Sequence, residues 1–366
     1  MFQNKFRNKK VLITGHTGFK GSWLSTWLLQ CGAKIVGISK DIPTQPSMFK
    51  SLELKNKISH YVEDMRELES VRKIILKESP DFIFHLAAQA IVSISKENPL
   101  ETISSNTVGT MNLLEVLRSY EKKCSVVFIT SDKCYDNVEW VWGYKETDKL
   151  GGKDIYSGSK AAAEVILNSY LHTFFLNDHP VKIGIGRAGN VLGGGDWAKD
   201  RIVVDSVKAW EKKEPVFIRA PRSTRPWQHV LEPLSGYLHL AIQLNTKKNL
   251  HSEAFNFGPR ADQNKSVIDL ITDISKGWDL SKKNILYIDK KNIFNESKLL
   301  KLNCDKALFH LGWESNLEYN ETVYFISEWY REFYQSGAKN ILKKTISQIN
   351  KYTELAVKRK RVWAIN

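Results

Sequence analysis

Gly15-His16-Thr17-Gly18-Phe19-Lys20-Gly21 follows the apolar run Val11-Leu12-Ile13 and leads into Gly18 to Leu29, a stretch that can form a helix. The glycines fall in a GxxGxxG spacing. Gly15 permits a tight turn, Gly18 lets backbone N–H groups approach a pyrophosphate, and Gly21 lets the helix pack on the strand. The helix N-terminus then faces negative charge. Glycine-rich turns are common, so the spacing alone decides little. Its place between the first strand and the first helix of an alternating series makes it a dinucleotide-binding turn, with Thr17 and Phe19 on the same cofactor surface.

Further β-branched runs follow at Ile35 to Ile38, Ile58 to Val62, Phe82 to Phe84, Val126 to Thr130 and Val181 to Ile185. Helical spacing separates them at Arg66 to Lys77, Glu101 to Arg118 and Tyr156 to Phe175. This alternation predicts an α/β fold, a doubly wound parallel Rossmann-type sheet with right-handed crossovers. After about residue 190 the rhythm breaks at Gly193-Gly194-Gly195, and helices are predicted at Glu232 to Leu244 and Glu321 to Phe333. The expected division is a dinucleotide-binding domain over 1–189, completed by a segment near 228–258. A smaller mixed α/β substrate domain over 190–366 is partly interleaved with it.

Lys and Arg number 54 against 40 Asp and Glu, a formal charge of +14. Such a balance suits acidic partners such as nucleotides, but the charge is scattered in doublets. Only Lys358 to Arg361 forms a run, and it reads as a solvated tail. Cys31, Cys124, Cys134 and Cys304 are far apart, with no zinc-type spacing, so no metal is expected. The first ten residues lack the apolar core of a signal peptide, and no apolar stretch is long enough to span a bilayer. The expectation is a cytoplasmic protein with reduced thiols and neither a membrane nor a nucleic-acid partner.

Ser39-Lys40-Asp41 ends the second strand, where a carboxylate usually holds the ribose of NAD. Lys40 suits a 2′-phosphate and Asp41 a ribose, so this loop leaves both NAD and NADP open. Asp64 is either a partner for the adenine amino group or a charge at a helix N-terminus. Tyr156-Ser157-Gly158-Ser159-Lys160 is a YxxxK pattern, which puts a phenol and an ammonium on one helix face. The ammonium is expected to lower the phenol's pKa toward working pH, so that it takes a sugar hydroxyl proton as hydride leaves. Thr130-Ser131-Asp132-Lys133 ends the fifth strand, and ligands of open parallel sheets bind beyond the strands' carboxyl ends. Ser131 can bond a sugar O4. Asp132 and Lys133 add an acid/base pair that simple hydride transfer does not require.

With these residues the chain resembles the extended short-chain dehydrogenase/reductases, and within them the CDP-glucose 4,6-dehydratase branch. The likeness runs from Gly15 to Leu24, through Ser131-Asp132-Lys133-Cys134-Tyr135 and Gly189 to Trp197, to Arg225 to Leu234 and Asn256-Phe257-Gly258-Pro259. Most sugar-nucleotide 4,6-dehydratases carry Asp-Glu where this chain has Asp132-Lys133. The resemblance implies bound NAD, a nucleotide-sugar substrate (CDP-glucose by this branch) and loss of water across C5 and C6, with Asp132 and Lys133 as acid and base in either order. It also implies a homodimer or homotetramer, with the helices near 101–118 and 156–175 as plausible contact surfaces.

Residue by residue, Ala87, Ala88 and Gln89 should line the cofactor, and Asn106 should lie near the active centre. Asn190, Asp196, Arg201, Arg219 and Arg225 should meet the substrate, the arginines gripping its pyrophosphate. Trp197 and Trp227 are either stacking partners or core anchors. Ala90-Ile91-Val92-Ser93-Ile94-Ser95 departs from the family, which more often has a proline, an arginine and a tyrosine there. The competing readings are a 4-epimerase or dehydratase for a GDP-, UDP- or dTDP-sugar and, in another class, a non-catalytic NAD-sensing or polyanion-binding protein.

Overall fold

The computed structural model describes all residues except 177, 219, 261, 264, 279, 281–284, 289–298 and 366. Six strands, β1 (Lys10–Thr14), β2 (Lys34–Ser39), β3 (Ser59–Val62), β4 (Phe82–His85), β5 (Cys124–Ile129) and β6 (Val181–Arg187), pair in parallel with a seventh, Ala254–Asn256. From one edge the order is β3-β2-β1-β4-β5-β6 and then the seventh strand. The order reverses between β1 and β4, which opens the crevice where dinucleotides bind in such folds.

The central strands are apolar on both faces because helices cover both. Leu12, Val36, Ile83, Val126 and Ile183 pack into one core with Leu113, Leu117 and Leu167. Val11, Ile13, Phe84 and Val127 pack into the other with Trp23, Trp27, Leu234 and Leu238. Helix α1 (Phe19–Gln30) is almost wholly buried, with Trp23 and Trp27 fully enclosed. Its apolar surface runs nearly all round, as expected of a helix with protein on every side.

Two elements lie outside the expected pattern. The stretch 101–118 is not one helix: Pro99–Ile103 and Gly109–Arg118 are α-helical, and Ser104–Val108 between them is a π-helical turn. A long helix, Ile341–Lys358, runs into the short helix Val362–Ile365, whose Trp363 stacks on Tyr352 and Phe2. The basic run at 358–361 is therefore not the expected solvated tail. Arg359 pairs with Glu321 at 2.8 Å, and Arg361 pairs with Glu314.

Candidate active site

The glycine turn has the geometry its spacing demands. Gly15 has φ of +76°, and a Cβ there would lie 2.8 Å from the Ala87 amide nitrogen. A Cβ on Gly21 would fall 2.3 Å from the Gly15 carbonyl oxygen, so the helix can approach its own turn only without a side chain. Gly18 occupies the N-cap of α1 and offers no side-chain cap. The first-turn amides therefore suit an anionic pyrophosphate, which is the fit the cofactor requires. Thr17 ties this turn to β2, donating its amide to Ser39 Oγ at 3.3 Å and its hydroxyl to the Asp41 carbonyl at 2.7 Å.

Beyond β2, Lys40 Nζ lies 2.7 Å from Glu101. Arg66 joins the same carboxylate and also grips both oxygens of Asp64, at 2.7 to 3.2 Å. These hydrogen bonds hold the Asp64 carboxyl below its usual range. After β4, His85 and the Ala87 amide converge on the Thr14 hydroxyl at 2.8 and 3.1 Å. Burial depresses His85 to about 3, so it serves as a neutral clamp.

The Gln89 side chain bonds Ile91 in its own loop and Thr102 in the helix Pro99–Ile103. Asn106, in the π-helical turn, accepts from the Gln89 amide at 2.8 Å and donates to the Gln89 carbonyl at 3.0 Å and to Ser159 Oγ at 2.8 Å. Its amide thus joins the loop after β4 to the helix Ile155–Phe174, and it is not among the cavity-lining residues described below.

Ser131 caps the turn after β5. Its Oγ donates to Asp132 Oδ1 at 3.0 Å and accepts from the Lys133 amide at 3.2 Å, and it acts on the Tyr156 phenol. Asp132 is buried against the extension of β6, where a Cβ on Gly189 would lie 1.8 Å from Oδ2. Lys133 is half-buried, and its ammonium has no hydrogen-bond partner among the described residues. Asp154 caps the helix Ile155–Phe174, accepting from the Ser157 amide at 3.0 Å. That cap sets Tyr156 in the first turn, where the helix dipole favours phenolate.

One expectation is corrected here. Tyr156 and Lys160 are both buried, and burial raises the phenol above its ordinary value while lowering Lys160 to about 8. Desolvation of the charged forms is the largest influence on both groups. Hydrogen bonding from Ser131 and the charge of Arg201 work against the rise at Tyr156, and Glu164 works against the fall at Lys160. Glu164 is itself locked in a buried ion pair with Arg187.

Three polar residues near this centre were not singled out from sequence. Lys20, in the first turn of α1, is lowered to about 8 by burial and by Arg201 and Lys160, against Asp132 and Asp196. Gln228 Nε2 donates to the Gly189 and Phe257 carbonyls at 3.1 and 3.0 Å. Tyr237 lies over β6, where a Cβ on Gly186 would meet its ring at 2.6 Å. Lys20 sits in the quoted turn and could have been suspected; Tyr237 lies in a helix and Gln228 in a two-residue strand, and the spacing of neither gives such a signal.

A cavity of about 190 Å³ is lined by Asn190, Asp196, Arg201, Arg225, Trp227 and Tyr330, among others. Asn190 has φ of +47° and a buried Nδ2 with no partner among the described residues. Burial raises Asp196, with Arg201 opposing most strongly. Arg201 also donates to the Ala90 carbonyl at 3.2 Å. Arg225 is buried, whereas Arg219 lies outside the described residues. Trp227 Nε1 is bonded to the Lys265 carbonyl at 2.9 Å, and Trp197 packs among Trp329, Tyr330 and Phe333 as a core anchor. Among the described residues there is no cluster that could hold a metal and no helix long and apolar enough to cross a membrane.

The sequence profile of the GDP-mannose 4,6 dehydratase family matches residues 12–325. The chain belongs to this family, within the NAD-dependent epimerase/dehydratases of the extended short-chain dehydrogenase/reductase type. It is 44% identical over 333 residues to CDP-glucose 4,6-dehydratase of Salmonella typhimurium, covering 90% of this chain and 92% of that one. The fold is shared with dTDP-glucose 4,6-dehydratase of Bacillus anthracis in complex with NAD, at a TM-score of 0.73, 20% identity and coverage of 88% and 97%. UDP-glucose 4-epimerase of Thermotoga maritima with UDP-glucose matches at a TM-score of 0.75, 22% identity and coverage of 88% and 99%.

Proposed function

We propose that this protein is a CDP-glucose 4,6-dehydratase that converts CDP-glucose to CDP-4-keto-6-deoxyglucose with bound NAD. The observation that carries this reading is the Ser131 hydroxyl, which donates to Asp132 at 3.0 Å and also acts on the Tyr156 phenol, opposing the rise of its pKa. An oxidation centre and an elimination centre thereby meet at one hydroxyl, whereas an epimerase needs only the first. The name of the Salmonella typhimurium relative supports the same assignment. The pairing of Lys40 with Glu101 favours NAD over NADP, since the lysine is already neutralised.

When bound, NAD supplies a positively charged ring that takes hydride from C4 and returns it to C6. Gly15, Thr17, Gly18, Phe19 and Gly21 hold its pyrophosphate, and Ser39, Asp64, Ala87, Ala88 and Gln89 border its remaining length. Tyr156 removes the C4 hydroxyl proton, assisted by Lys160, while Ser131 steadies O4. The C4 carbonyl acidifies C5–H, which Lys133 removes, and Asp132 protonates the departing O6. Asn190, Asp196, Arg201, Arg219 and Arg225 form the substrate side, and Asn106 positions it through Gln89. Residues 1–189 with 228–258 serve the cofactor, and the rest of 190–366 serves the sugar nucleotide. The assembly is a homodimer or homotetramer in the cytoplasm.

The test is incubation with NAD and, separately, CDP-, UDP-, GDP- and dTDP-glucose. A 4-keto product, which absorbs near-ultraviolet light in alkali, is expected from CDP-glucose. An epimerised hexose, or turnover confined to another nucleotide, would sink the assignment.

A further inference from the structure

Beside the glycine turn, Ser39, His16 and His60 form one chain of hydrogen bonds. Ser39 Oγ lies 2.9 Å from His16 Nδ1, and His16 Nε2 lies 2.7 Å from His60 Nδ1. Ser39 Oγ also accepts from the Thr17 amide at 3.3 Å. The His16 ring is held in place. A Cβ on Gly37 would fall 2.3 Å from it, and the Phe49 ring centre lies 5.3 Å from that of His16 and 5.1 Å from that of His60. His16 is fully buried, whereas His60 is half-buried and its Nε2 has no hydrogen-bond partner among the described residues. Burial and then His60 lower His16 to about 4, against the Ile38 carbonyl, so at neutral pH it carries a single ring proton. Around His60 stand His16, the Phe49 ring and Lys55; burial and then Lys55 hold it below its ordinary value. One proton per link lets the chain run in two senses. In the first, Ser39 donates to His16 and His16 to His60. In the second, His60 donates to His16 and His16 to Ser39. The second fills both lone pairs of Ser39 Oγ, one from Thr17 and one from His16, and turns its hydroxyl proton outward. A protonated His60 has no ring lone pair to offer, so only the second sense remains.

We infer that His16 and His60 are positioning residues that set Ser39 as donor or acceptor at the carboxyl end of β2, and so couple the group at the cofactor's 2′ position to a proton on His60. This rests on the reading above, which puts Ser39 along the cofactor. A ribose hydroxyl meets Ser39 in either sense, because it can donate or accept. A 2′-phosphate only accepts, and so selects the second sense. The coupling is reciprocal: the dinucleotide that needs a donor at Ser39 also favours the proton on His60. Lys40 and Arg66 are neutralised by Glu101, so the hydroxyl of Ser39 adds a discrimination that does not come from charge.

The test is nuclear magnetic resonance of the full chain, isotope-labelled throughout and titrated from about pH 8 to about pH 5, alone, with NAD and with NADP. The pKa of His60 should lie about one pH unit higher with NADP than with NAD, the tenfold factor of one hydrogen bond. With NADP at neutral pH the His16 ring nitrogens should report the proton on Nδ1. Ser39→Ala keeps the charge of the phosphate but breaks the chain, so in that variant the two dinucleotides should give nearly the same His60 value. A difference as large in Ser39→Ala as in the parent would be the field of the phosphate alone, and overturns the proposal. No difference in the parent, or a His16 proton left on Nε2 by NADP, overturns it as well. If neither dinucleotide moves the amide signals of Thr17 and Ser39, the cofactor lies elsewhere, and its placement fails together with the proposal.

Discussion

Ser131 Oγ donates to Asp132 Oδ1 across 3.0 Å, and the same hydroxyl opposes the rise of the Tyr156 phenol's pKa. Removing that oxygen disturbs two residues at once. Ser131→Ala should lower kcat about 10²-fold or more, with little change in KM, because the hydroxyl acts on reacting groups and not on the nucleotide. Steady-state kinetics would check this. A variant that lost affinity alone would place the hydroxyl outside the chemistry.

Gly189 touches Asp132 so closely that no side chain fits between them. Gly189→Ala should displace the carboxyl and abolish elimination while leaving cofactor binding within a few-fold of the parent. Calorimetric titration with NAD beside a turnover assay separates the two effects.

Glu164 and Arg187 are buried together, with Thr130 and Tyr135 completing their hydrogen bonds. Glu164→Gln strands the guanidinium and should destabilise the fold by roughly 3–5 kcal/mol in urea unfolding. The double variant Glu164→Leu with Arg187→Met should recover part of this loss, since it removes both charges from the interior. A double variant no better than the singles would show that packing, and not charge, dominates there.

Glu232 is buried and accepts from the Asn316 and Leu317 amides at 2.9 and 2.6 Å. Burial raises it to about 7 from 4.5. The folded state therefore holds this proton more tightly than the unfolded state between those values. The stability it contributes is full below 4.5 and is lost as pH rises through 7. Glu232→Gln should cancel that slope, gaining on the parent by up to about 3 kcal/mol above pH 7. Unfolding curves at pH 5 and pH 8 would show the gap; parallel curves would contradict it.

Glu101 neutralises both Lys40 and Arg66 beside the end of β2. Glu101→Gln should free Lys40, while Arg66 stays paired with Asp64, and raise affinity for NADP several-fold relative to NAD, an effect that fades as salt is added. Competitive binding of the two dinucleotides at low and high ionic strength is the measurement.

The sheet was legible because strand and helix periods alternate cleanly from Val11 to Ile185, and the glycine turn announces where they start. The positions of Ser131 and Asp132 after a strand end, and of Tyr156 and Lys160 at a helix start, were legible for the same reason. What escaped depends on contacts between distant segments. The burial that raises Tyr156 and the two glycines that admit Asp132 and Tyr237 have no local signature. The basic run at 358–361 misled because its acidic partners, Glu314 and Glu321, lie some forty residues away. The π-helical turn at Ser104–Val108 is made of weak helix formers, but their spacing does not mark a bulge, nor the bonds Asn106 makes there to Gln89 and Ser159.

That engagement of Asn106 has a further consequence. One amide sets the height of the loop after β4 and the seating of the helix that carries Tyr156, so neither can be re-tuned alone. Substitutions in the two segments should be non-additive when combined. Any reshaping of this pocket for another sugar must find a route in which loop, bulge and helix change in concert.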